Sequence, residues 1–331
     1  MEIVAAKLAK NFPIFHKQPG LWGSVKSLFY RQKSLKHALT NINLHIPAGN
    51  MVALLGPNGS GKTTLMKIIS GVLLPTSGTI QADRFIPGER KKTFLRQMSL
   101  VMGQRSQLWW DLPTLDSLQF FQAIYEIRPT DFSERLKRYS ALLDIEGILR
   151  QPVRKLSLGQ RMRCEFLAAI MHHPKLLLLD EPTIGLDIIS QQTIRQFLLE
   201  YHSQTGSTII LTSHNMQDIA NLCQRAIILQ KGSIVFDDQI SILHSKYAKE
   251  KRISLTLAPG ADLPALPANV QKITQPNLVI DLIVPYNAVA SLAAQILNQT
   301  QIETFSVHEP TLEEIIRQFF IDTDTHSKKL P

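Results

Sequence analysis

The segment Gly56-Pro57-Asn58-Gly59-Ser60-Gly61-Lys62-Thr63 places glycines, a lysine and a hydroxyl at the spacing of a phosphate-binding loop. Its glycines let backbone N–H groups turn inward without side-chain obstruction. The helical run that follows, from Thr64 to about Ser70, adds a helix N-terminus that favours anions. Lys62 is placed to reach the β- and γ-phosphates. Thr63 offers a hydroxyl to Mg²⁺, and Thr64 extends the phosphate-contacting run. A second chemical group is Asp180-Glu181, at the end of the apolar run Leu176–Leu179. An acid at the carboxyl end of a buried parallel strand points into the crevice where ligands bind. Asp180 suits Mg²⁺ held through water, and Glu181 suits a general base for an attacking water. His214 follows a further apolar run, Thr208–Leu211, through Thr212 and Ser213, on the same expected edge. There it can contact a terminal phosphate and steady the water and Glu181.

These groups need a sheet to carry them. Met51–Leu55, Leu176–Leu179, Thr208–Leu211 and Ala226–Leu229 are short apolar runs alternating with helical patterns. That pattern predicts an α/β core with strands buried on both faces. Residues 1–50 add strand-like runs, Glu2–Leu8 and Asn41–Ile46, around a basic, aromatic segment. Residues 241–250 read as a linker or a short charged helix. Residues 251–331 read as a small α+β unit, with Ile253, Leu255 and Leu257 alternating and a strand over Leu278–Val284. Val289, Leu292, Ala293 and Ile296 repeat at helical spacing. A final helix is expected from Thr311, where Glu314 completes a capping box.

The 331 residues suffice for one large domain and a smaller one. An apolar share of 44% is ordinary for a globular chain. No apolar run is long enough for a transmembrane helix, and the start lacks the pattern of a signal peptide. A cytoplasmic location is therefore expected. Cys164 and Cys223 lie far apart with no metal-ligand spacing, so both are expected as reduced, non-catalytic thiols. The net charge is +9, and Lys7, Lys10, Lys17, Lys26, Arg31, Lys33 and Lys36 face only Glu2 in the first fifty residues. Such a balance favours anionic partners, or is simply a solvated basic face.

Between Lys62 and Asp180 lies Leu156-Ser157-Leu158-Gly159-Gln160, which resembles the signature sequence of ABC ATPases. Gln104 resembles the Q-loop glutamine of that family. Glu181-Pro182-Thr183 with Gly185-Leu186-Asp187 resembles its strand-end acid and D-loop, and His214 its switch histidine. The resemblance covers roughly residues 1–240. It implies a P-loop NTPase fold with an antiparallel β subdomain and a helical signature subdomain at about 105–172. It also implies ATP and Mg²⁺ as ligands, with Gln104 touching both. Ser157, Gly159, Gln160 and Asp187 would contact nucleotide across a dimer, since the family's signature closes over ATP held by a partner subunit. A homodimer or a heterodimer of ATPase subunits follows from that.

Leu158 departs from the family's common form, which has a small residue there. The variant, with Gly103–Pro113 and with His308–Glu314, resembles ATPases paired with ABC-2 type permeases, in the drug-exporter-like subgroup. The expectation is an ATPase powering export from the cytoplasmic face of the inner membrane, as a peripheral subunit beside an integral permease. The alternative is a soluble ABC ATPase acting on nucleic acid or ribosomes. The absence of a second ATPase domain or long coiled coil speaks against it, and no nucleic-acid partner is expected. Phe12 is the chosen adenine-stacking aromatic, and Tyr30 the alternative. Residues 13–35 resemble an insertion whose apolar residues, among them Trp22 and Phe29, pack on the core or meet a membrane or permease. Trp109 and Trp110 are expected either as anchors facing the permease or as core. The C-terminal unit carries no legible chemistry.

Overall fold

The computed structural model describes residues 1–15, 33–103, 106–274 and 279–327. The chain divides into two compact units, Met1–Asp238 and Gln239–Pro331. In the first unit, β1 (Ile3–Phe15), β2 (Lys33–Ile46), β3 (Met51–Leu55), β4 (Ser77–Ala82), β5 (Met98–Met102), β6 (Leu176–Asp180), β7 (Thr208–Thr212), β8 (Arg225–Gln230) and β9 (Ser233–Gln239) make two sheets. One is three-stranded and antiparallel, in the order β2-β1-β4. The other is six-stranded, in the order β5-β6-β7-β3-β8-β9, and its ladder from β5 to β8 is parallel.

Every residue of β3, β6 and β7 is buried. This matches their unbroken apolar runs, since a strand covered on both faces shows no alternation. The two sheets share one core in which Ile3, Leu8, Leu39 and Ile46 pack with Val52, Leu54, Leu178 and Ile210. Burying each such side chain contributes about 1.5–3 kcal/mol. The order β6-β7-β3 has a direct consequence for chemistry. It sets three carboxyl ends side by side: one before the phosphate loop, one at Asp180, one before His214.

β1 and β2 run well beyond the two runs anticipated at Glu2–Leu8 and Asn41–Ile46, and pair as far as Phe15 with Lys33. The described ends of the 13–35 segment are thus an extension of this hairpin. Trp22, Phe29 and Tyr30 lie outside the described residues.

Helices Thr114–Ile124, Pro129–Leu142 and Leu158–Ile170 occupy the region expected to be helical. The last carries the signature residues at its start. Ser157 is its N-cap and accepts from Gln160 N–H at 3.2 Å, while Gln160 Oε1 accepts from Ser157 N–H at 3.0 Å. This reciprocal box satisfies two donors that a helix start otherwise leaves orphaned.

The second unit opens with the helix Ile240–Tyr247, on the segment read as linker or short charged helix. Its antiparallel sheet has the order β11-β12-β10-β13, from β10 (Glu250–Leu257), β11 (Gln271–Thr274), β12 (Val279–Pro285) and β13 (Ile302–His308). Ile253, Leu255, Ile280, Leu282 and Val284 form its core with Leu292 and Ile296 of the helix Val289–Gln299. The final helix, Leu312–Ser327, starts on the expected box: Thr311 N–H donates to Glu314 at 2.8 Å, and Glu314 N–H to Thr311 Oγ1 at 3.3 Å.

Candidate active site

A cleft of about 810 Å³ is lined by Asn58, Gly59, Gly61, Lys62, Thr63 and Thr64, by Asp180, Glu181 and His214, and by Phe12. Gly56, Pro57 and Ser60 of the same loop are not among its lining residues. Their part is to shape it. Gly56 has φ +144°, and a Cβ there would stand 2.2 Å from the Leu229 carbonyl oxygen, so only glycine fits between β3 and β8. Ser60 is buried, and Gly232 N–H donates to its carbonyl at 3.1 Å.

Lys62 Nζ donates to the carbonyls of Gly56 at 2.7 Å and Pro57 at 3.2 Å, so the ammonium curls back over the loop it anchors. Burial pulls its pKa below the ordinary lysine range, while Glu181 and Asp180 act in the opposite sense. Phe12 is half-buried at the cleft wall, with the Lys10 ammonium 5.2 Å from its ring centre. Gln104 lies outside the described residues.

Asp180 closes β6 and is 9% exposed. Its Oδ1 accepts from Thr212 Oγ1 at 2.8 Å. Glu181 follows with φ +54°, a left-handed conformation that costs a non-glycine residue free energy. Its N–H is held twice by one residue, to Thr212 O at 3.2 Å and to Thr212 Oγ1 at 3.0 Å. The strained backbone turns the Glu181 side chain toward the neighbouring strand end. There His214 N–H donates to Oε2 at 3.2 Å, and His214 Nε2 lies 3.3 Å from Oε1. Burial holds the Glu181 carboxyl above its ordinary range, against the pull of His214 and Lys62.

Among the described residues no group of three or more His, Cys, Asp or Glu side chains could cage a metal. The donors present are the Thr63 hydroxyl and the Asp180 carboxylate, one oxygen of which is fixed by Thr212. That set suits Mg²⁺, which keeps waters and substrate phosphates rather than an all-protein shell.

The signature residues Ser157, Gly159 and Gln160, and Asp187, do not line this cleft. They gather elsewhere. A Cβ on Gly159 would stand 2.2 Å from Ser190 Oγ and 3.1 Å from an Asp187 carboxylate oxygen. Asp187 caps the helix Ile188–Thr205 through Ser190 N–H at 2.9 Å and Ser190 Oγ at 2.7 Å. Those two bonds keep its carboxyl below the usual range. Leu158, at the helix start, is 41% exposed, and Ile188 and Ile189 beside Asp187 are 77% and 76% exposed.

The family model for ABC transporters matches residues 39–184. The chain is 32% identical over 220 residues to the uncharacterized ABC transporter ATP-binding protein YdbJ of Bacillus subtilis, covering 66% of this chain and 69% of that one. It is 31% identical over 201 residues to the lantibiotic transport ATP-binding protein SrtF of Streptococcus pyogenes, covering 61% and 84%. This chain belongs to the ATP-binding subunits of ABC transporters. It is an ATPase. The ABC transporter ATP-binding protein NatA of Bacillus subtilis is 27% identical over 222 residues, covering 67% of this chain and 90% of that one. A solved ATP-binding subunit of an ABC transporter superposes with a TM-score of 0.62 at 20% identity, over 75% of this chain and 93% of that one. The dimeric cassette MJ0796, in a post-hydrolysis state with ADP and Pi, gives a TM-score of 0.59 at 22% identity, over 72% and 98%.

Two members of this ABC ATPase's site were not singled out from sequence. Thr212 is fully buried and joins Asp180 to the Glu181 backbone. Asp218, 1% exposed, accepts from Thr183 Oγ1 at 2.5 Å and Ser213 Oγ at 3.1 Å, with Arg195 Nη1 at 3.5 Å. It therefore ties the turn after Glu181 to the segment before His214. A hydroxyl ending an apolar strand was the available signal for Thr212. An acid in the first turn of the helix Met216–Leu222 reads only as helix-dipole chemistry.

Proposed function

We propose that the ABC ATPase works as one of two paired ATPase subunits that power an ABC-2 type exporter from the cytoplasmic face of the cell membrane. The observation that carries this reading is the separation within one chain. A cleft holds Lys62, Asp180, Glu181 and His214, while Ser157 and Gly159 stand apart on an exposed helix start. A helix N-terminus suits a terminal phosphate, and a second copy would supply the phosphate.

In the proposed reaction Lys62 and the loop N–H groups hold the β- and γ-phosphates of ATP. Bound Mg²⁺, held by Thr63 and Asp180, would neutralise charge on the phosphates. Glu181 takes the proton of the attacking water, and His214 fixes Glu181 and meets the γ-phosphate. Phe12 stacks on adenine. Positioning and charge stabilisation carry such phosphoryl transfer, with little covalent chemistry asked of the protein.

Export rather than import rests on the Leu158 variant and the Gly103–Pro113 segment, and on the similarity to a lantibiotic transport protein. Import ATPases lie at comparable identity: the glucose import protein GlcV of Saccharolobus solfataricus is 30% identical. The permease-facing surface would be Trp109, Trp110 and Leu112, which are 42%, 52% and 42% exposed, with the Phe120 ring tilted against Trp109 at 4.6 Å between centres.

The test is purification of Glu181→Gln from its own cells with ATP and Mg²⁺. The expected result is a stable dimer that retains ATP, turns over very slowly and brings down an integral membrane protein. Near-wild-type turnover would refute the role of Glu181, and recovery with ribosomes or nucleic acid would refute transport.

A further inference from the structure

The buried acid at the middle of the signature helix has no place in the reaction above. Glu165 is 3% exposed, and among the described residues no ion pair to its carboxylate is found. Instead three consecutive residues of the loop after β5 wrap around it. Ser106 donates its hydroxyl to Oε1, Gln107 donates N–H to Oε2 at 2.9 Å, and Leu108 donates N–H to Oε1 at 3.4 Å. Successive donors converging on one anion form a nest, which fixes the loop far more tightly than a single bond. Leu108 is itself buried, so this end of the loop is sealed against the helix.

One turn earlier on the same helix face, the Arg161 guanidinium lies 5.4 Å from the Trp110 ring centre. Beyond Trp110, Val153 N–H donates to Leu112 O at 3.0 Å and Arg154 N–H to Trp110 O at 2.9 Å. The exposed pair Trp109 and Trp110 thus belongs to a loop fastened at one end to the signature helix, through Glu165, and at the other to the turn Val153–Lys155 just before Ser157. Burial raises the Glu165 carboxyl above its usual range, and the Ser106, Gln107 and Leu108 donors oppose that shift. A carboxylate kept dry in mid-helix is costly unless its donors stay in place.

We propose that Glu165 is a positioning residue that makes the loop 106–112 and the signature helix one mechanical body, so that a displacement at Trp109 and Trp110 moves Ser157 and Gly159 toward or away from the phosphate they serve. The inference rests on the assignment of Ser157–Gln160 to nucleotide contact, and its test separates the two. An apolar residue would fill the same space, but it would leave Gln107 N–H without its acceptor and Ser106 and Leu108 bonded only to each other, so the loop could shift independently of the helix.

The experiment uses the full chain carrying Trp22→Phe, so that emission comes from Trp109 and Trp110 alone. Steady-state ATPase kinetics and the emission change on adding ATP with Mg²⁺ are compared for Glu165→Ala, Glu165→Gln, Ser106→Ala and Ser157→Asp. Glu165→Ala is expected to lower kcat about tenfold through misplacement of the signature. Its KM for ATP should stay within about twofold, because the phosphate loop is untouched. The ATP-induced emission change should vanish. Glu165→Gln keeps an acceptor oxygen and should restore most of both signals. Ser106→Ala keeps the carboxylate and removes one donor, so it should shift both signals in the same direction by less, even if Glu165→Ala does not fold.

Asp is as good a helix cap as Ser, so Ser157→Asp should keep the helix and repel phosphate, abolishing turnover with ATP binding intact. Normal turnover in Ser157→Asp would overturn the signature assignment and this proposal with it. Loss of turnover there, with Glu165→Ala and Ser106→Ala unchanged in kcat and emission, would overturn the role of Glu165 alone. So would a fall in Glu165→Ala that tracks lost ATP binding and is not rescued by Gln.

Discussion

Thr212 Oγ1 donates to Asp180 Oδ1 at 2.8 Å, across the carboxyl ends of two adjacent parallel strands. The same oxygen accepts from Glu181 N–H at 3.0 Å. One hydroxyl therefore sets both the expected metal ligand and the backbone of the expected base. Thr212→Val keeps the shape and removes both bonds. It leaves Asp180 with an unheld oxygen in a buried setting, so kcat should fall about tenfold or more. Thr212→Ser should retain most of the activity. ATPase assays across a Mg²⁺ titration check this, and a valine variant with normal kcat and normal Mg²⁺ dependence would remove Thr212 from the site.

Lys62 holds the Gly56 and Pro57 carbonyls, and a bound phosphate must compete for that ammonium. Lys62→Ala loses a charge-assisted contact worth about 1.5–3 kcal/mol. Nucleotide affinity should drop by about tenfold to a hundredfold, as read by calorimetry with ATP. This separates Lys62 from Glu181, whose loss should spare binding.

His172 is stacked on Tyr125 at 3.9 Å and bonded to Met98 O at 3.2 Å. Burial pushes its pKa down to about 4. The folded ring stays neutral where the unfolded ring, near its ordinary value of about 6.5, takes up a proton. Its contribution to stability is present above about pH 6.5 and is lost as pH falls toward 4, at about 1.4 kcal/mol per pH unit. Burial lowers the His173 pKa to about 4 as well, so denaturation at stepped pH should show the two slopes added, and His172→Phe, which keeps the stacking, should remove about half of it. Parallel curves for the two proteins would assign the slope to other groups.

The phosphate loop, Asp180-Glu181 and His214 were legible because each lies just past an apolar run, and a fully buried strand is short enough to read whole. Their meeting in one cleft depends on the strand order β6-β7-β3, which no local pattern encodes. The extent of β1 and β2 was harder to see, because register shifts near Ala5, Leu8 and Lys10 break the alternation. The described side chains of β11 are exposed and those of β13 exposed or half-buried, and neither strand carries a clear apolar period. The start of the signature helix was written in Ser157 and Gln160, as a capping box whose glutamine reads equally well as a nucleotide contact. Glu165 left no signal at all, since a lone acid in a helix looks the same in sequence whether water or backbone donors surround it.

Ser157 stands apart from the cleft of its own chain, and this gives the protein an unusual genetics. In the proposed pairing each site is shared between copies, so a Lys62→Ala or Ser157→Asp copy paired with a healthy one keeps one sound site. The two defective alleles together keep one as well, and they complement wherever one sound site suffices. In a mixed pair both lesions fall in the same composite site, and the other site is assembled from the sound half of each copy.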